Sequence, residues 1–379
     1  MPGLLNTVDP DGLLEYSVVY TDRALNHMSQ AFQEVMRDIS GTLRRAYAAD
    51  AVAVVPGGGT YAMEAVARQF AGGRDCLVLR NGWFSFRWSQ ILDMGRIAAA
   101  TTVLKARRDG VGDQAPFVPA PIDEVVAAIR EKPPAVVFAP HVETAAGIVL
   151  PDDYLQAVAA AVREVDGLFV LDCIASGALW VDMRAMGVDV LISAPQKGWS
   201  GPSCAGLVGL GERALARLAD TASSSFACDL KKWLQIMEAY EKGGHAYHAT
   251  LPTDALRAVR NAMRETEACG FDIARGQQWE LGRKVRALLA ERGFPSVAGA
   301  GFEAPGVVVS YTTDPEIQSA QKFVALGLQA AAGVPLQCDE PAGFRSFRLG
   351  LFGLDKLGNV EHTVATLRQA LDRLAACRT

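Results

Sequence analysis

Between about residue 50 and residue 210, short apolar runs rich in β-branched residues alternate with longer stretches whose apolar positions fall three and four apart. The runs AVAVV, CLVL, TTVL, AVVFA, LFVLD, DVLISA and AGLVGL have the length and composition of buried strands. Segments between them, such as IDEVVAAIREK and DDYLQAVAAAVREV, carry the helix period. Strands that are apolar throughout belong to a sheet covered on both faces. The pattern therefore predicts an α/β fold built on a mostly parallel, seven-stranded sheet. In such folds ligands collect beyond the carboxyl ends of the strands.

From about residue 270 the pattern changes to a long helix, GQQWELGRKVRALLAERG. The strand GVVVSYT, another helix, the strand SFRLGLF and a last helix follow. This reads as a large domain over 1–269 and a smaller α+β domain over 270–379. Residues 105–121, mixing charge, glycine and proline, read as a surface loop. The first 25 or so residues show no period and are expected to form an arm draped over the active site or a partner subunit.

A chain of 379 residues has apolar material for both domains, and its formal net charge of -5 gives no electrostatic reason to bind nucleic acid or an anionic membrane. A small-molecule ligand is expected instead. The seven cysteines are widely spaced and form no CxxC pair, which argues for reduced thiols over disulfides or a zinc ribbon. MPGLLNTVDPDG has neither the basic segment nor the apolar core of a signal peptide. No uncharged apolar run reaches transmembrane length, so a soluble, cytoplasmic protein is expected.

Two charged residues end buried-strand patterns. Asp172 closes LFVLD, and Lys197 follows DVLISAP twenty-five residues later, a spacing that fits one intervening helix near 182–187. Alone, Asp172 reads equally well as a cap of the next turn, and Lys197 as a solvated lysine. Together they offer what a pyridoxal phosphate site requires: an amine for the Schiff base and a carboxylate to keep the pyridine nitrogen protonated. VVPGGGTYAMEA supplies a strand, a glycine turn and a helix expected to begin near Tyr61, an arrangement that cradles an anion as readily as it makes a plain turn. It matches neither dinucleotide nor nucleoside-triphosphate motifs. Arg348 shares one face of SFRLGLF with Gly350, leaving room for a carboxylate. His245 and His248 form an HxxH without the cysteines or glutamate motif of a metal site, and no metal is expected.

The motifs PGGGTYAMEA, LRNGWFSFRW, HVETAAG, LDCIASG, SAPQKGW, YHAT and FRLGLFG stand in an order and spacing that resembles the class V aminotransferases of fold type I, in particular the serine/alanine–glyoxylate branch. That resemblance implies a transaminase working by a ping-pong cycle with pyridoxal phosphate, between a small amino acid (serine, alanine or aspartate-like) and a 2-oxo acid such as glyoxylate or pyruvate. It implies that Lys197 is the Schiff-base lysine and Asp172 the partner of the pyridine nitrogen. Gly58, Gly59, Thr60 and Gln196 would hold the phosphate, Phe84 (or its neighbour Trp83) would stack on the ring, and Thr144 would bond near the phenolic oxygen. Arg348 would bind the substrate α-carboxylate. Tyr247 and Thr250 would reach the phosphate across the interface of a homodimer.

Near the N-terminus the chain departs from the family. LLEYSVVYTDR, residues 13–23, replaces a glycine-proline loop, which opens the question of substrate. HVETAAG and TYAMEA also resemble the 2-aminoethylphosphonate–pyruvate transaminases. A cysteine desulfurase or other lyase shares the fold but normally has histidine before the lysine, where this chain has Gln196. A cofactor-binding relative without turnover is the non-enzymatic alternative.

Overall fold

The structure is a computed structural model that describes residues 13–376. Each of the seven apolar runs forms a strand of one sheet: β1 (Ala51–Pro56), β2 (Asp75–Arg80), β3 (Ala100–Lys105), β4 (Val136–Pro140), β5 (Leu168–Asp172), β6 (Val190–Ser193) and β7 (Ala205–Leu210). Their order is β1-β7-β6-β5-β4-β2-β3. The β2–β3, β2–β4, β4–β5 and β5–β6 pairs are parallel, whereas β7 runs against both β6 and β1. Every residue of β4, β5, β6 and β7 is buried, as a sheet covered on both faces requires.

Among the helices that cover the sheet, α1 (Gln30–Tyr47) starts at Ser29, whose hydroxyl accepts from the Phe32 amide at 3.1 Å. Next come α2 (Gly59–Phe70), α3 (Trp83–Met94), α4 (Asp152–Glu164) and the one-turn α5 (Met183–Met186). The long helix expected after residue 270 is α6 (Phe271–Ala290), and the last is α7 (Val360–Ala376). A second sheet pairs β8 (Val307–Tyr311) antiparallel with β10 (Ser346–Gly350), and β10 also pairs with β9 (Ala331–Ala332). The region expected to hold one helix between GVVVSYT and SFRLGLF holds two short ones, Pro315–Gln318 and Gln321–Ala325. Ala320, at φ 64°, is left-handed and breaks the run between them.

The stretch 105–121 is more ordered than a plain surface loop. Arg107–Arg108 pairs with Phe117–Val118, and fully buried Phe117 ties the hairpin to a core that includes Val297, Val307, Val309 and Tyr311. Five charged residues and two glycines mask that one anchoring aromatic in the sequence. The same core takes in Val142, Ala145, Ala146 and Ala175, and Phe84 packs on its edge. It thereby joins the second sheet to the ends of β4 and β5.

Residues 1–12 of the expected arm lie outside the described residues, as does Cys377. Residues 13–25 form no helix or strand and hydrogen-bond to the 251–254 segment. Tyr20 Oη donates to the Leu251 carbonyl at 3.1 Å, and Asn26 Nδ2 donates to Glu15 at 2.8 Å. Leu13, Leu14, Tyr16 and Val18 are exposed. The six described cysteines are free. No helix among the described residues is long and apolar enough to cross a membrane.

Candidate active site

The carboxyl ends of β1, β2, β4, β5 and β6 deliver their following residues to one cavity of about 220 Å³. Register brings Pro140, Asp172 and Ile192 side by side at the ends of three adjacent parallel strands. Lys197 leaves β6 in a tight turn closed by the Ser200 amide on the Lys197 carbonyl at 3.1 Å and the Gly201 amide on the Pro195 carbonyl at 2.9 Å. The turn packs so closely on the segment after β5 that a Cβ at Gly198 would lie 2.1 Å from the Gly177 carbonyl oxygen. No other residue fits there.

Asp172 is 8 % exposed, and its Oδ1 accepts from the Ile174 amide at 2.9 Å. Burial pushes its carboxyl up to about 7, with a smaller push from Glu143, while the Ile174 amide, Arg87 and Lys197 pull the other way. Burial also lowers the Lys197 amine, aided by the like charges of Arg348 and Arg87 and opposed by Asp172. A buried amine that sheds its proton readily beside a carboxylate that lacks a cation is a nucleophile next to a vacant cation partner. The Lys197 Nζ lies 5.0 Å from the centre of the Phe352 ring.

At the end of β1, Gly57 takes φ 118°, and a Cβ on it would sit 2.7 Å from the Tyr61 ring. α2 begins at Gly59, two residues before the expected start, because Tyr61 and Ala62 both donate to the Gly58 carbonyl. The Gly59 and Thr60 amides therefore form the open first turn and donate to no described residue. Gly59, Thr60 and Gln196 line the cavity; Gly58 stands one residue behind it as the N-cap. Arg87, one turn into α3, donates from Nη1 to Thr60 Oγ1 at 3.0 Å and lines the same wall. A cradle of free amides and a guanidinium, an amine, and a buried carboxylate with a raised pKa form a donor set that fits pyridoxal phosphate: phosphate, aldehyde and ring nitrogen each find a complementary group.

Phe84, and not Trp83, lines the cavity; Trp83 turns to the Phe86 ring instead. Thr144 also lines the cavity. Glu143, fully buried, explains how Phe84 is held. Its carboxylate accepts from the amides of Phe84 (3.2 Å), Ser85 (2.9 Å) and Ala145 (2.9 Å) and from Ser85 Oγ (2.6 Å). A charge at the positive end of a helix and four donors offset its desolvation. Arg348 reaches the site from β10: its Cζ is 5.3 Å from the Phe84 ring centre, and its Nε donates to the Ala332 carbonyl at 2.8 Å. Its remaining nitrogens pair with no carboxylate among the described residues.

Tyr247 and Thr250 do not join this group. They bond each other at 3.1 Å, both exposed, outside the cavity wall. His248 bonds the Phe226 carbonyl and His245 lies against His27, so the HxxH pair diverges. No group of three or more potential ligands converges to hold a metal among the described residues. Arg87 and Glu143 were not distinguishable in the sequence. Each sits inside a recognised motif, NGWFSFRW or HVETAAG, and for Arg87 nothing in the local pattern separates it from a solvated charge. The available signal was a carboxylate inside the otherwise mostly apolar HVETAAG.

Residues 13–325 match the family model described as aminotransferase class-V. A 2-aminoethylphosphonate–pyruvate transaminase of Burkholderia ambifaria is 30% identical over 322 residues, which is 84% of this chain and 81% of the relative. Among solved structures, an alanine–glyoxylate aminotransferase from Nostoc sp. aligns with a TM-score of 0.77 at 23% identity, covering 91% of this chain and 88% of that one. An aspartate aminotransferase from Thermus thermophilus aligns with a TM-score of 0.75 at 25% identity, covering 93% of each. A family match over most of the chain, together with the seven-stranded sheet and the strand-end cavity, establishes that the chain belongs to the class V aminotransferases.

Proposed function

We propose that this aminotransferase works with pyridoxal phosphate bound through Lys197 and transfers an amino group between a small amine donor and a short 2-oxo acid, pyruvate or glyoxylate. The observation that carries this reading is the pairing at the ends of β5 and β6: a buried Asp172 with a raised pKa beside a Lys197 with a lowered one. When bound, the cofactor supplies an electron sink for the carbanion formed at the donor carbon.

The chain's own groups do the rest. Asp172 offers its carboxylate to the cofactor's ring nitrogen and holds a proton there. The Gly59 and Thr60 amides, Gln196 and Arg87 take the phosphate. Phe84 presents its ring face, and Thr144 offers its hydroxyl to the ring substituents. Arg348 grips the substrate carboxylate with its two free nitrogens. The Lys197 amine, once displaced by substrate, is a base of suitable strength to move a proton to and from the reacting carbon.

Tyr247 and Thr250 fit a homodimer in which each protomer lends them to the other's phosphate. The same reading divides the chain near residue 270, where α6 begins, into a part that holds the cofactor and a part that carries Arg348. We take the protein to act in the cytoplasm. Cys338 speaks against a desulfurase: it is buried, its thiol is pushed up to about 12 by burial, and it is no part of the cavity wall.

Two donor classes are open. The first is a small amino acid, as in the alanine–glyoxylate enzyme. The second is 2-aminoethylphosphonate, favoured by the 30% identity to a transaminase of that name. Adding each donor alone to the holoenzyme and following the cofactor's visible absorbance separates them. The true donor bleaches it in one turnover, and pyruvate or glyoxylate restores it. Failure of every donor to bleach it would contradict the reading.

A further inference from the structure

A second cavity, of about 490 Å³, lies back to back with the first. Pro140 and Val142 line the active-site cavity, while His141 between them lines the second, so consecutive side chains of one extended segment enter the two cavities from opposite faces. The His141 carbonyl accepts from the Leu150 amide, and its own amide donates to the Asp172 carbonyl at 2.8 Å. The walls are indole and aliphatic: Trp180 and Leu179 follow β5, and Trp279 projects from α6. At the edge stand three carboxylates, Asp152 and Asp153 in the first turn of α4 and Asp182 before α5.

His141 supplies the second, independent observation. It is 4 % exposed; Nδ1 is held by Ser176 Oγ at 2.7 Å, and Nε2 has no hydrogen-bond partner among the described residues. A polar side chain so deeply buried is ordinarily satisfied. An open nitrogen on a cavity wall is a place for a ligand's hydrogen bond. Burial holds the imidazole well below its usual range, at about 4, so it stays neutral at physiological pH and does not itself repel a cation.

Charge selects the ligand. Against the three aspartates stands, among the described residues, one cation, Arg275, which is already engaged with the Trp180 carbonyl at 3.0 Å and Asp272 at 3.5 Å. Asp153 gives one oxygen to the Tyr154 amide and Asp182 one to the Ala185 amide, so each keeps an oxygen free. Indole faces attract cations, and a negative edge raises their local concentration.

We propose that this cavity is a second small-molecule site, which takes an aryl- or alkyl-ammonium ion carrying a hydrogen-bonding group at its far end. The ammonium sits at the aspartate edge, the apolar body lies against Trp180 and Trp279, and the far end reaches His141 Nε2. The inference does not depend on the cofactor or on the donor proposed above.

The test is calorimetric titration of the holoenzyme with N,N-dimethyltyramine, a tertiary amine that cannot form an imine with an aldehyde. One saturable site is expected, weakened about tenfold or more by Trp279→Ala and by the paired Asp152→Asn and Asp153→Asn. The aspartate pair is exposed on a helix turn, so it tests the site even where the tryptophan variant fails to fold. p-Cresol, which lacks the cation, is expected to bind at least about tenfold more weakly, and N,N-dimethylphenethylamine, which lacks the hydroxyl, measurably more weakly. Lys197→Ala is expected to leave the affinity unchanged. No saturable binding, equal affinity in the aspartate variant, equal affinity for p-cresol, or loss of binding in Lys197→Ala would each overturn the proposal.

Discussion

Arg87 donates to Thr60 Oγ1 across 3.0 Å, which sets a guanidinium at the mouth of the open first turn of α2. Besides Lys197, it is the one cation on the wall of the active-site cavity among the described residues. A phosphate dianion held only by glycine amides, a threonine and a glutamine would lack a counter-charge, and an unpaired buried charge is costly. Arg87→Ala is expected to weaken pyridoxal phosphate binding by about 10- to 100-fold, the loss of one charge-assisted contact, with Arg87→Lys recovering part of it. Equilibrium dialysis of the cofactor against the apoprotein measures this directly.

Asp172 gives a pH signature in the apoprotein. Its carboxyl titrates at about 7 in the folded chain against 3.8 unfolded. The proton is held more tightly in the folded state, so the contribution to stability is full below pH 3.8 and is lost as the pH rises through about 7. Linkage puts the total near 4 kcal/mol, as an order of magnitude. Asp172→Asn cannot ionise and is expected to lack this loss. Urea unfolding of both apoproteins between pH 4 and 8 should therefore show the variant gaining on the wild type as pH rises, while its transaminase activity is severely reduced.

The sheet was legible because each of its strands is apolar throughout, and the placing of Asp172 and Lys197 followed from where those runs stop. The alternation of SFRLGLF put Arg348 on one strand face with Gly350, but only the resemblance to the family singled it out from a solvated arginine. Glu143 and Arg87 were not, since their roles arise from contacts 58 and 27 residues away in sequence, with Ser85 and Thr60. The hairpin within 105–121 escaped for a similar reason: Phe117 is buried by the distant Val297–Tyr311 region. Tyr247 and Thr250, singled out by resemblance, lie outside the cavity of their own chain.

Glu143→Gln replaces a four-fold acceptor with a group that must point an NH2 at one set of donors. A cost of about 2–4 kcal/mol in stability is expected. With Phe84 released from its anchor, the visible absorbance or circular dichroism of the bound cofactor is expected to change. Thermal unfolding and cofactor spectra of the same preparation check both; an unchanged spectrum would separate Glu143 from the positioning of Phe84.

Shared sites can be tested by complementation. A variant carrying Tyr247→Phe and Thr250→Ala is expected to bind cofactor at least about tenfold more weakly, from the loss of two hydroxyl donors to the phosphate. Mixing it with Lys197→Ala under subunit exchange yields hybrids in which one site combines an intact Lys197 with the partner's Tyr247. Activity well above that of either parent is expected. Sites built within single chains would give no such recovery.

The most direct test is the visible spectrum of purified enzyme reconstituted with pyridoxal phosphate, before and after a panel of single amino donors including alanine, serine, aspartate and 2-aminoethylphosphonate. We expect a protein-bound absorbance that Lys197→Ala abolishes, that one donor class bleaches stoichiometrically, and that pyruvate or glyoxylate restores. A Lys197→Ala protein that kept the wild-type absorbance and its response to donor would contradict that expectation.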